Sequence, residues 1–163
     1  MTKEMIRIAN CSGFYGDKLS VAKDMVEGGP IDVLTGDYLA ELTMTILYNQ
    51  KIKRGEDHGY VGTFLKQFKD VAKSTQEKNI KIVSNAGGLN PKAMALEVEK
   101  IIDELNLKLK VAYIEGDDLI PEFQKLSEAG EKFKNLDNEI NLSDYPKKPI
   151  TANAYLGAWG IKE

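Results

Sequence analysis

The chain has 163 residues, 42% of them apolar and 29% charged, with a net charge of −3 at neutral pH. That length suits one full domain and is short for two, and the composition is that of a globular protein without low-complexity tracts. Lys and Asp/Glu alternate along the helical stretches, so no broad basic field exists for a nucleic-acid backbone, and no apolar run approaches the roughly 18 residues of a membrane helix.

The N-terminus enters a predicted strand directly, with no secretory leader, and the expected location is cytoplasmic. That strand, Ile6 to Cys11, leads into Ser12-Gly13-Phe14-Tyr15-Gly16-Asp17. Lys18 to Glu27 then carries Leu19, Val21, Ala22, Met25 and Val26 at helical spacing and is closed by Gly28-Gly29-Pro30. A second β run, Ile31 to Leu34, ends in Thr35-Gly36-Asp37, and the stripe of Leu39, Leu42, Thr43, Ile46 and Leu47 predicts a helix over Tyr38 to Lys53 with Asp37 as its N-cap. After the polar loop Arg54 to Gly59, a helix is expected from about Tyr60 to Glu77. The third β run, Ile80 to Val83, enters Ser84-Asn85-Ala86-Gly87-Gly88-Leu89-Asn90-Pro91, where Pro91 opens a helix reaching about Leu105.

A fourth run, Val111 to Ile114, ends in Glu115-Gly116-Asp117-Asp118, and Leu119 to Phe133 again reads as helix. Strands alternating with helices predict parallel crossovers. The expected fold is a single α/β domain over residues 1–163, three-layer and Rossmann-like, with a mostly parallel sheet and helices on both faces. The last apolar stretch, Ile150 to Ile161, looks like a strand about to enter a helix at the point where the chain stops. Such an ending suggests the first portion of a larger domain.

Ligands of parallel sheets gather at the carboxyl ends of strands, where turns and helix N-termini present backbone N–H groups. The candidate anion- or substrate-binding residues are therefore Ser12, Gly13, Asp17, Gly36, Asn85, Gly87, Gly88 and Asn90. Adjacent glycines at 87 and 88 permit positive φ and a concave set of donors suited to a carboxylate or phosphate; the same residues also serve a tight turn before a helix. Asp37 and Asp117 are the candidate catalytic groups, for proton transfer or as oxygen ligands, against the alternative of caps. Gly13-Phe14-Tyr15-Gly16 lacks the spacing of a dinucleotide fingerprint, no P-loop occurs, and no cofactor is specified. Cys11, the single cysteine, excludes an internal disulfide and is expected as a small buried hydrophobe. His58, the single histidine, reads as a solvated loop residue.

Four stretches together resemble the N-terminal domain of the acyclic terpene utilisation (AtuA) family: Ile8 to Asp17, Gly29 to Glu41, Gly59 to Phe64 and Val83 to Pro91. Ala152 to Ala158 is similar to a later segment of that domain. The resemblance implies a cytoplasmic protein of bacterial pathways that degrade branched acids and isoprenoids as acyl-CoA thioesters. It implies a small anionic or CoA-linked metabolite as partner, beside the expectation from charge and hydropathy of neither nucleic acid nor membrane. Further glycine-, aspartate- and histidine-containing motifs follow in the full-length pattern, so this region would supply one wall of a site. Two readings stand: an enzyme, or a non-catalytic binding or assembly subunit. An uncovered apolar patch around Leu156, Trp159 and Ile161 suggests self-association or pairing with a complementary chain.

Overall fold

The structure is a computed structural model, and it describes residues 5–163. The chain is α/β. Its strands are β1 (Ile8–Asn10), β2 (Val33–Gly36) and β3 (Lys81–Ser84), which form a parallel three-stranded sheet in the order β1-β2-β3. Register runs through Ile8↔Val33↔Lys81. Helix α1 (Val21–Gly28) connects β1 to β2, helices α2 (Glu41–Arg54) and α3 (Gly62–Glu77) connect β2 to β3, and α4 (Pro91–Glu104) follows β3.

Alternation along the strands decides which residues face the helices. Ala9, Cys11, Leu34 and Ile82 point to one side and pack with Ala22 and Val26 of α1 and Val71 of α3. A second cluster joins Tyr38, Leu47 of α2, Phe64, Phe68 and Ala72 of α3, and Val98 and Ile102 of α4. Removing each fully buried Val, Leu, Ile or Phe of these clusters from water stabilises the fold by about 1.5–3 kcal/mol. Ile8, Asn10, Val33, Thr35 and Val83, on the opposite face, are half-buried to exposed and join neither cluster.

Four expectations change. The fourth run, Val111 to Ile114, has no ladder partner among the described residues, although Leu107, Leu109 and Val111 alternate inward onto the second cluster. Past Val111 even that inward alternation stops, with Ala112, Tyr113 and Ile114 exposed. Helix α2 starts at Glu41 with Ala40 as N-cap, not at Asp37, because Tyr38 is drawn into the core and the chain stays extended around it. The helix expected over Leu119 to Phe133 shortens to α5 (Phe123–Glu128). The expected last strand is represented by the single antiparallel bridge Asp118↔Asn153, and Trp159–Lys162 forms the short helix α6.

The chain divides into two compact units, one running to Tyr113 and the other Ile114–Glu163. In the second, Leu119 N–H donates to the Ala152 carbonyl and Ala154 N–H to the Asp117 carbonyl, both at 2.8 Å, around the bridge. Phe123 stacks on Phe133 at 4.2 Å. No residue of this unit is fully buried, and Tyr155 is 99% exposed.

Candidate functional site at the carboxyl ends of the strands

Because the three strands are parallel and adjacent, the turns that follow them share one edge. Past the strand ends the turns remain linked: Cys11 N–H donates to the Thr35 carbonyl at 2.8 Å, and Asp37 N–H to the Ser12 carbonyl at 2.9 Å. The structure thus brings Ser12, Gly13, Asp17, Gly36, Asp37 and Asn85 to one edge of the sheet, with Gly87, Gly88 and Asn90 continuing from Asn85. Asp117 lies in the second unit, where its carboxylate accepts from Asn153 Nδ2 at 3.0 Å.

The centre of the edge is the pair Asp37 and Asn85, both exposed. Asn85 Nδ2 donates to Asp37 Oδ1 at 2.6 Å, while its Oδ1 accepts from Tyr38 N–H at 2.8 Å. A reversed amide would set an oxygen against a carboxylate and an NH2 against an N–H, so the network fixes the orientation. One Asp37 oxygen is thereby occupied by Asn85 and, at 3.3 Å, by Leu39 N–H. Its Oδ2 has no hydrogen-bond partner among the described residues.

Beneath the pair lies a buried polar group that the sequence reading missed. Tyr38 folds back under the end of β2, its hydroxyl donating to Gln67 Oε1 at 2.6 Å and lying 3.8 Å from Cys11 Sγ. Gly36 makes this possible, since a Cβ there would meet the Tyr38 ring at 2.6 Å. Burial pushes the Cys11 thiol up, and burial followed by the neighbouring thiol raises the Tyr38 phenol well above its ordinary value. Both are therefore neutral at physiological pH. Cys11 is buried as expected, and the pocket lined by Cys11, Tyr38, Gln67 and Phe68 is too small for a ligand beyond a water.

The two glycine turns differ in how they use their donors. In the first, the Asp17 carboxylate itself takes Gly13 N–H at 3.0 Å and Lys18 N–H at 2.9 Å, which holds it below the usual carboxylate range. The turn is a nest for an anion, and its present occupant is internal. In the second, Ala86 N–H donates to Ser84 Oγ, Gly88 N–H to the Asn85 carbonyl, Leu89 N–H to the Gly59 carbonyl and Asn90 N–H to the Gly87 carbonyl. Gly87 N–H has no acceptor among the described residues. Gly88 sits at φ +53°, where a Cβ would strike Leu47 and the Gly59 carbonyl. Asn90 caps α4 through Ala93 N–H at 3.1 Å.

The loop before α3 flanks this second turn. Asn90 Nδ2 donates to the carbonyls of Glu56 at 2.8 Å and His58 at 3.2 Å, and Val61 N–H donates to the Ala86 carbonyl at 2.8 Å. His58 lies in the loop with its side chain 33% exposed; it pairs through Nδ1 with exposed Asp57 at 2.9 Å, and its ring runs parallel to that of Tyr60. The pairing lowers the Asp57 carboxyl. An adjacent Asp-His is the only local signal, and the sequence does not say that Asn90 pins it.

Fold and site define an α/β protein whose polar turns assemble at the carboxyl ends of parallel strands around a fixed carboxylate–amide pair. No helix among the described residues is long and apolar enough to cross a membrane, and they hold no metal-ligating cluster. A family model described as acyclic terpene utilisation family protein AtuA matches residues 6–163. The chain belongs to that family, as its motifs implied. No curated protein and no solved structure matches it.

Proposed function

We propose that this AtuA-family chain is enzymatic, acting in the cytoplasm on a small branched carboxylic acid carried as its CoA thioester. The observation that carries the reading is the Asp37–Asn85 pair: an exposed carboxylate with one oxygen fixed by an amide at 2.6 Å and the other open, at the edge where parallel sheets bind ligands. In that geometry Asp37 is the proton-transfer group, or an oxygen ligand if the reaction uses a cation. The Asn85–Asn90 turn, where buried Gly87 keeps an N–H without an acceptor among the described residues, would receive the carbonyl or carboxylate, with Ser12, Gly13, Gly36, Gly88 and Asn90 shaping the wall. Asp117, on the second unit, is an acid–base candidate of that unit by itself. An external anion would reach the first turn by displacing Asp17 from it.

Proton transfer at the carbon next to the thioester is measurable without knowing the full reaction. Isovaleryl-CoA incubated with the protein in D2O should gain deuterium at that carbon, read by mass spectrometry. Asp37→Asn, which keeps the contact to Asn85, should slow the exchange by about 10²–10⁴-fold. Equal exchange in both proteins would remove Asp37 from the chemistry.

The second reading is a non-catalytic binding or assembly subunit, favoured by the internal use of most donors in the Asn85–Asn90 turn, by Asp17 filling the first turn, and by exposed Leu136, Tyr155 and Trp159 in the second unit. Under it the chain would self-associate or pair with a complementary chain. Exchange absent from the wild type would favour it.

A further inference from the structure

Among the described residues, Gln67 of α3 carries the only buried side-chain amide, with 3% of its surface exposed. An amide has two donors and two acceptor lone pairs, and this one has a single partner. Oε1 accepts from the Tyr38 hydroxyl at 2.6 Å, while Nε2 has no acceptor among the described residues. Turning the amide over does not cure this: Nε2 would then donate to the phenol oxygen, and Oε1 would be the end without a partner. In either orientation one end of a group almost removed from water goes unpaired, a condition that folded proteins relieve with a protein partner or an ordered water.

Gln67 also lines a cavity of about 10 Å3, together with Cys11, Tyr38, Ala22, Leu34 and Val71. That is room for one water and for nothing larger. Much of the wall is apolar, which alone would keep the space dry. Three groups on it can nevertheless serve a water: the spare end of the Gln67 amide, the lone pairs of the Tyr38 oxygen, and Cys11 Sγ, which lies 3.8 Å from that oxygen. Burial keeps the phenol and the thiol protonated at physiological pH, so neither wall residue brings a charge that calls for an ion.

We propose that this cavity is a binding site for a single ordered water, which accepts from Gln67 Nε2 and donates to the Tyr38 oxygen or to Cys11 Sγ. The water completes a buried polar group beneath the end of β2, and through the Tyr38 N–H, which holds Asn85 Oδ1 at 2.8 Å, that group supports the edge of the sheet. The site does not depend on what binds at that edge.

Water-selective NOE and ROE spectra of the ¹⁵N-labelled chain test this on the intact protein. The Gln67 side-chain amide should show water cross-peaks of opposite sign in the two spectra, the mark of a held water. Oxygen-17 relaxation dispersion should then count one long-lived water fewer in Gln67→Met, which keeps the length of the side chain without its donor. Absent cross-peaks, or cross-peaks of equal sign that put Nε2 against the hydration layer, overturn the proposal. So does an unchanged count in folded Gln67→Met, which would assign the cross-peaks to exchange of the Tyr38 hydroxyl. If that variant does not fold, a crystal of the wild type decides in its place: an ordered water within hydrogen-bonding distance of Nε2 is expected, and a dry cavity refutes the site.

Discussion

At the scale of single residues, Tyr38 holds the edge of the sheet from below: its N–H anchors Asn85 and its hydroxyl is spent on buried Gln67. Tyr38→Phe leaves Gln67 Oε1 without that donor, which should cost about 1–3 kcal/mol at neutral pH. The same residue shapes the alkaline limb of stability. Burial raises the Tyr38 phenol and the Cys11 thiol above their ordinary values of 10.0 and 9.0, so the folded state binds those protons more tightly than the unfolded chain. Their contribution is complete below the unfolded values and is lost as pH rises through the folded ones. Urea midpoints measured from pH 7 to 11 should fall above about pH 9 in the wild type. Tyr38→Phe should start lower and fall less steeply. Parallel curves would mean that the phenol does not titrate against folding.

At the scale of elements, Asn90 joins three: it ends the turn after β3, caps α4 and fastens the loop before α3. Asn90→Ala should cost about 1–2 kcal/mol from the cap, and amide exchange should accelerate in residues 55–61 as well as in the first turn of α4. Exchange changed only in α4 would show that the loop stands without it. Strands β1 to β3 were legible because each is a short aliphatic run stopped by a glycine turn. The segment from Leu107 to Val111 shows the same alternation, but alternation reports burial of one side and says nothing of a hydrogen-bonding neighbour. The N-cap assignment of Asp37 failed for a related reason. Local rules favour Asp before a helical stripe, yet Asn85, 48 residues on, claims its carboxylate and Tyr38 N–H together.

At the scale of the whole molecule, the convergence of the turns on one edge was legible and their wiring was not. Parallel topology alone puts Ser12, Gly36 and Asn85 on one edge, which is why turn positions in the sequence predict that these residues converge. That Asp17 fills the first turn and that the second spends most of its donors internally are details of side-chain and turn geometry, and the hold of Asn90 on the His58 carbonyl is a long-range pairing without a local signature. The central claim, that this edge is where an anionic acyl thioester binds, is tested most directly by ¹H–¹⁵N NMR titration of the protein with isovaleryl-CoA. The account predicts saturable shifts concentrated in residues 12–17, 36–38 and 85–90, weakened in Asn85→Ala. Saturable shifts confined to other segments, or none at all, would contradict it.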